Sequence, residues 1–222
     1  KNYSLSVSEP YFLDRPITAG ADIFKRKITY YSYANVTGYT QESTGASLVT
    51  GFLVGKWSRA FLNYTYEIIK LSEADPADHT DPFYPGAGGV NYGPQYDPLL
   101  YGDFGQRKES RITPNFVYNT VDNPFTPRAG MRHTVTVMFA GGPLGGTVDY
   151  IRPNLEAIVY KPIGRKMSLG VRAEAALISP FGDTKVLPLY QRYFLGGETQ
   201  IRGYQIRSIS GSLMNGITGA TL

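Results

Sequence analysis

The feature that most limits the fold of this chain is an alternation of apolar and polar residues sustained over whole segments. Between Lys166 and Ile178 one parity reads Met167, Leu169, Val171, Ala173, Ala175 and Leu177, and the other reads Ser168, Gly170, Arg172, Glu174 and Ala176. A period of two belongs to a β-strand, whose successive side chains leave opposite faces, whereas a helix repeats near 3.6. The first row is wholly apolar. The second sets a cation and an anion two residues apart on one face.

The pattern recurs along the chain. Ile151, Pro153, Leu155, Ala157 and Val159 alternate with Arg152, Asn154, Glu156 and Ile158. Ser58–Ile69, Arg111–Val121 and Met131–Phe139 read the same way, and weaker versions run near Tyr3–Ser8, Ile17–Thr29 and Gly45–Val54. Together they predict eight strands, most of them 8–13 residues long. Strands in globular domains average about 5–6 residues, while a strand that crosses a bilayer needs about 9–11. The connections alternate too. Short ones lie near Pro10–Pro16, Gly55–Trp57, Asp122–Gly130 and Pro162–Arg165. The intervening ones lie near Ser32–Glu42, Glu73–Lys108, Gly141–Gly146 and from Ser179 onward, and all but Gly141–Gly146 are long. Short turns on one side and mostly long loops on the other is the layout of an antiparallel transmembrane β-barrel. In that fold the apolar row faces lipid and the Arg/Glu/Asn row faces a wet lumen. Tyr3, Tyr30, Tyr31, Tyr66, Tyr118 and Tyr160 lie at or near strand ends in several cases, as an interfacial aromatic girdle requires. A soluble β-sandwich is the competing architecture: its inward row would be apolar too, but both of its ends would meet loops of any length.

Composition agrees and excludes several function classes. The 222 residues include 18 Tyr, 11 Phe and 25 Gly, which suits strands and turns better than a helical bundle. No apolar run is long enough for a transmembrane helix, which says nothing against a barrel. There is no cysteine, so disulfides, thiol catalysis and Cys-type zinc sites are out. Net charge is +4, with no Lys/Arg cluster along the sequence, which gives no footprint for nucleic acid. The chain starts directly in strand-like sequence and stops in Gly/Ser-rich sequence, which reads as a piece of a longer protein.

Catalytic and metal chemistry are poorly supplied. His79 and His133 are the two histidines, too few to build a triad or a His-rich metal site with an orienting partner. Glu73, Asp75, Asp78 and Asp81 offer carboxylates, but without the spacing of a calcium loop, and they read as a solvated surface loop. No metal and no cofactor is expected. Arg152, Glu156, Arg172 and Glu174 read as lumen-facing charges that brace the wall, or alternatively as the lining of a selective pore.

The segment Tyr193–Tyr204 departs from the strand period yet stays apolar and aromatic, where an exposed loop should be polar. A loop tucked back into the barrel fits it. Its pattern Arg192-x-Phe194-x-Gly196-Gly197, followed by Ile201-Arg202-Gly203-Tyr204, resembles the sixth-loop signature of the BamA superfamily of bacterial outer-membrane β-barrel insertases. Ser6-Val7-Ser8-Glu9-Pro10-Tyr11-Phe12 is similar to a strand end of that family. Asp122, Pro124, Pro127 and Gly130 match its periplasmic turn D-x-P-x-x-P-x-x-G. The three motifs run in the family's order and cover the chain from end to end.

The resemblance implies a fragment holding about eight strands, roughly the fourth to the eleventh, of a sixteen-strand barrel that follows periplasmic POTRA domains. Strands reach to about residue 178, and residues 179–222 form the motif loop. It further implies a bacterial outer-membrane protein that folds and inserts other barrels without enzymatic chemistry. Its partners are then the outer-membrane bilayer, unfolded β-barrel substrates and accessory outer-membrane lipoproteins. Arg202 is implied to reach acidic residues on late strands that lie outside this sequence. A polypeptide secretion pore of the same superfamily and a passive porin are the alternatives.

Overall fold

The computed structural model describes residues 2–30, 39–73, 105–164, 167–184, 187–193 and 201–204. Eight long strands follow one another: β1 (Tyr3–Glu9), β2 (Ile17–Tyr30), β3 (Tyr39–Leu53), β4 (Ser58–Glu73), β5 (Gly105–Asn119), β6 (Gly130–Ala140), β7 (Tyr150–Ile163) and β8 (Met167–Ala176). A two-residue strand, β9 (Ser179–Pro180), comes after them. All belong to one antiparallel sheet in which β1 to β8 pair in sequence order and β9 pairs with β7. The sheet is a wall and not a closed ring, since β1 and β8 do not pair with each other. The expectation of an all-β antiparallel barrel wall holds.

Several strands run further toward the long connections than the sequence suggested. β3 begins at Tyr39 and not near Gly45, and β5 begins at Gly105 and not near Arg111. The added stretches carry charged or polar side chains on both faces, such as Gln41, Glu42 and Ser43. The apolar row that marks a strand fades there although the ladder continues, with Thr29 facing Thr40 and Leu71 facing Gly105.

The registers sort the side chains into two faces. One cross-strand row reads Phe116, Val135, Leu155, Ala175, and the adjacent one, on the other face, reads Val117, Thr134, Glu156, Glu174. On the first face large apolar side chains stand exposed: Leu5, Val7, Ile23, Leu48, Leu62, Phe116, Val135, Leu155, Leu169 and Val171. A soluble monomer does not carry a continuous apolar face of this kind. This is the lipid-facing surface of an outer-membrane barrel. Tyr3, Tyr66 and Tyr118 share it. Tyr160 does not: it stands on the inward face, its ring covering Gly170 on the neighbouring strand. The side chain of Tyr30, and Tyr31 altogether, lie outside the described residues.

β9 is the tail of β8. Asn154 pairs with Ala176 and Ile151 with Ser179, so the register runs on unbroken through the gap. The gap falls at Pro153. Leu177 N–H donates to its carbonyl at 3.0 Å, but proline has no N–H to return.

Candidate functional site

The inward face carries a buried polar cluster beneath the chain that follows β9. Glu67 on β4 and Glu109 on β5 are directly opposite each other, an arrangement that repels unless a cation intervenes. Arg111 intervenes. Its Nη1 is bonded to Glu67 and lies 3.3 Å from Glu109 Oε1. Gly45 on β3 leaves room for this, since a Cβ there would sit 2.7 Å from the Cβ of Glu67. Glu109 is fully buried, as is Tyr150 on β7, whose hydroxyl donates to Glu109 Oε1. A buried carboxylate must be paired and hydrogen-bonded to persist, and this one has three partners.

The third partner comes from the loop. Gln191 Nε2 donates to both carboxylate oxygens of Glu109, at 3.0 and 3.3 Å. Its Oε1 accepts from Arg152 Nη1 at 3.0 Å. Arg152 also donates through Nε to the Tyr193 hydroxyl at 2.6 Å and stacks over that ring at 4.3 Å. Arg192 Nε donates to the Leu187 carbonyl at 3.0 Å and so closes the turn around Leu189–Gln191. Leu187 packs with Ala140, Val148 and Tyr150, flanked by Met138 and Ile178. Asp149 ties the start of the loop to the β6–β7 connection. It accepts from Gly142 N–H at 2.7 Å, and its own N–H donates to Thr184 Oγ1 at 2.7 Å. Residues 187–193 are thus held against the inward wall by one apolar cluster and one charged one.

The charges expected to face the lumen share one face of the sheet and sort into two groups. Arg172 bonds Glu156 at 2.7 Å and Glu174 at 2.8 Å, and Arg132 reaches Glu156 at 3.2 Å. This makes a ladder across β6, β7 and β8. Arg152 is not part of it, because its guanidinium is taken by Gln191 and Tyr193. Arg132 joins the ladder, although nothing in its sequence context singles it out. Nothing singles out Tyr150 or Gln191 either, and the one trace of Glu67, Glu109 and Arg111 is shared parity: Glu109 and Arg111 occupy one row of β5, and Glu67 occupies the matching row of β4.

The β5–β6 turn shows why its residues are of these types. Asp122 Oδ1 accepts from the N–H groups of Asn123, Arg128 and Ala129 at 2.9, 3.1 and 3.3 Å. These backbone donors, those of Arg128 and Ala129 foremost, hold the Asp122 carboxyl below the usual carboxylate range. Asn123 Oδ1 accepts from Phe125 and Thr126 N–H at 2.9 and 3.2 Å. Gly130 has φ of +110°, and a Cβ there would lie 2.3 Å from the Thr120 carbonyl oxygen. Pro124 and Pro127 line a cleft of about 200 Å³ with Asn119, Val121, Arg132, Ile158 and Tyr160. The Pro127 carbonyl accepts from Ser168 Oγ at 3.0 Å, so the turn leans over β7 onto β8.

Of the motif loop, Ile201, Arg202, Gly203 and Tyr204 are described and exposed, with a 3.4 Å hydrogen bond from Tyr204 N–H to the Ile201 carbonyl. Gly203 has φ of +90°, which favours glycine. Arg202 forms no hydrogen bond or ion pair with another described residue. Phe194, Gly196 and Gly197 lie outside the described residues, as do His79 and the carboxylates Asp75, Asp78 and Asp81. Among the described residues no group of His, Asp or Glu is placed to hold a metal ion.

Comparisons with known proteins agree on one family. The Omp85 superfamily domain matches residues 1–222. The outer membrane protein assembly factor BamA of Nitratidesulfovibrio vulgaris is 33% identical over 95 residues, 43% of this chain and 12% of that protein. The sorting and assembly machinery component 50 homolog of Mus musculus is 28% identical over 105 residues, 47% of this chain and 22% of that protein. The chain therefore matches well under a third of the length of these relatives. The crystal structure of BamA from Haemophilus ducreyi lacking POTRA domains 1–3 superposes with a TM-score of 0.76 at 24% identity, over 95% of this chain and 38% of that one. That likeness concerns the fold.

Proposed function

This chain belongs to the Omp85 superfamily, and from that membership we propose that it forms part of a barrel that folds and inserts β-barrel proteins into the bacterial outer membrane. The observation that carries the reading is the loop after β9. Its near limb lies against the inward wall, held by Glu109 and Arg152, and it leads into Ile201-Arg202-Gly203-Tyr204.

The physical task is to pair backbone groups before they meet hydrocarbon, since an unpaired N–H or C=O there costs several kcal/mol. A barrel whose seam opens offers a strand edge on which an incoming strand can complete its hydrogen bonds. No bond is made or broken, so no catalytic residue, metal or cofactor is required. Arg202 is the positioning residue of the loop. It pairs with carboxylates on barrel strands beyond this chain and keeps the barrel in its competent shape. The Asp122–Gly130 turn fixes the periplasmic ends of β5 and β6, and the Arg132–Glu156–Arg172–Glu174 ladder stiffens the wall behind them. The partners are the bilayer, unfolded barrel substrates and accessory outer-membrane lipoproteins.

The test uses the full-length protein in liposomes with an unfolded barrel substrate. Folding faster than in empty liposomes, slowed by Arg202→Ala at unchanged protein level, is the expected result. An unaltered rate in the variant removes the role of Arg202. No acceleration in the parent protein, with passage of an unfolded polypeptide or ion conductance instead, makes the barrel a secretion pore or a porin.

A further inference from the structure

Beyond the apolar belt the outward face of β2–β5 turns basic. On β2 the residues that follow Ile23 on this face are Lys25 and Lys27; on β4 Ile68 is followed by Lys70; on β5 Lys108 lies opposite Ile68. The registers bring them together. Lys27, Glu42, Lys70 and Gln106 form one cross-strand row, and Lys25, Thr44, Ile68 and Lys108 form another two residues nearer the turns. All four lysines are exposed. Glu42 is the one carboxylate in the two rows. It accepts from Lys27 Nζ at 2.7 Å and is within electrostatic reach of Lys25 and Lys70. Four cations against one anion leave the patch at +3. Four adjacent strands spaced about 4.8 Å apart make it roughly 15 Å wide.

The rest of the wall has no counterpart. The outward rows of β6 and β8, Met131–Phe139 and Met167–Ala175, hold no lysine or arginine. The described outward row of β7 holds only Lys161, at the opposite end near the β7–β8 turn. Long connections follow β2 and β4 at the basic end, and short turns join the strands at the other. In this architecture that places the patch at the level of the external leaflet.

We propose that Lys25, Lys27, Lys70 and Lys108 bind the phosphorylated headgroup of an anionic lipid in the external leaflet. An ammonium is a strongly hydrated point charge suited to phosphate. A basic residue near an anionic membrane surface contributes roughly a fivefold gain in binding. The ligand is a lipid and not free phosphate because the patch continues into the belt. Ile23, Ala46 and Tyr66 stand one alternate residue nearer the turns on the same face, where acyl chains attached to the bound phosphate cover them.

The experiment places the full-length protein in nanodiscs of phosphatidylcholine doped with bisphosphorylated lipid A, and counts the lipid retained per protein by native mass spectrometry. Wild type retains lipid A in preference to phosphatidylcholine. The Lys25→Gln/Lys27→Gln/Lys70→Gln variant loses that preference by at least about tenfold. The corresponding triple Arg variant keeps it, which separates loss of charge from loss of fold, and Lys161→Gln keeps it as well. Dephosphorylated lipid A is not enriched, and millimolar inorganic phosphate does not displace the intact lipid. Equal retention by the triple Gln variant overturns the proposal, as does equal enrichment of the dephosphorylated lipid. Displacement by inorganic phosphate makes the patch a free-anion site and overturns the lipid assignment.

Discussion

Asp122 shows how much of a turn one acceptor can organise. Three backbone N–H groups converge on one of its oxygens, and no other described side chain in the turn offers a comparable carboxylate. Its folded-state carboxyl is held below its ordinary value, so it binds protons more weakly than in the unfolded chain. The stability it contributes is therefore complete above the unfolded value, near pH 4, and is lost as pH falls through the depressed folded one. Asp122→Asn keeps an acceptor oxygen but not the charge that strengthens these bonds. The full-length variant is expected to unfold at lower denaturant concentration than wild type at pH 7, with the gap closing as pH drops below about 4. A gap that stays constant down to pH 3 would mean that the carboxylate charge is not what holds the turn. The position of Asp122 in a turn was legible from its Pro and Gly neighbours. Its role as a hub was not, because a sequence lists donors without showing which oxygen they converge on. Glu109 makes the same point more sharply. It is a single polar residue in an alternating row, and its significance arises only when β4, β7 and residue 191 arrive beside it.

The strands themselves were the most legible elements, since a face that contacts one medium over its whole length writes a period of two into the sequence. What the period omits is the ladder's count of donors. Pro114 on β5, Val137 on β6, Pro153 on β7 and Leu177 fall on one line across the wall, with Val137 paired to Pro153 and the flanking registers continuous through the other two steps. The β5–β6 ladder lapses at Thr113–Pro114, and the β7–β8 ladder lapses at Pro153. Two seams of the wall are therefore weakened at the same height, just on the turn side of the buried Glu109–Gln191 cluster. All four share the outward apolar parity, and a period of two is indifferent to whether a residue carries an N–H. Pro153→Ala restores a donor opposite the Leu177 carbonyl. A net hydrogen bond contributes about 0.5–1.5 kcal/mol, and the unfolded freedom gained on removing proline offsets about 0.4–1 kcal/mol of it. Global stability should barely move, while amide exchange at Leu177 slows severalfold because local opening of the seam is suppressed. Unchanged exchange at Leu177 would assign the lapse in the ladder to something other than the proline.

At the scale of the whole molecule, the argument for a membrane wall rests on which face tolerates charge. The row Phe116, Val135, Leu155, Ala175 and the adjacent row Val117, Thr134, Glu156, Glu174 are one residue apart on each strand and differ only in the side of the sheet they occupy. A soluble sandwich would bury the first row and wet the second, and an outer-membrane barrel puts lipid against the first and lumen water against the second. Both place a penalty on charge in the apolar row, but they differ in what relieves it. Val135 is 39% exposed, and no described residue forms a second layer over it, as a lipid-facing position requires. Arginine at the midplane of a lipid-facing strand costs about 2–4 kcal/mol, falling toward about 0–1 near the interfaces. Val135→Arg in the full-length protein is accordingly expected to lose about 2–4 kcal/mol of folding stability in phospholipid vesicles. The loss should shrink in thinner bilayers, where the same strand position lies nearer the headgroups. Thr134→Arg, one residue away, enters the lumen beside Glu156 and should change stability by no more than about 1 kcal/mol, as exposed ion pairs do. Denaturant titrations of the two variants in vesicles of two thicknesses separate the cases. A penalty at Val135 that ignores bilayer thickness would mean that protein, and not lipid, lies against this face, and equal penalties at both positions would mean that the two faces meet the same medium.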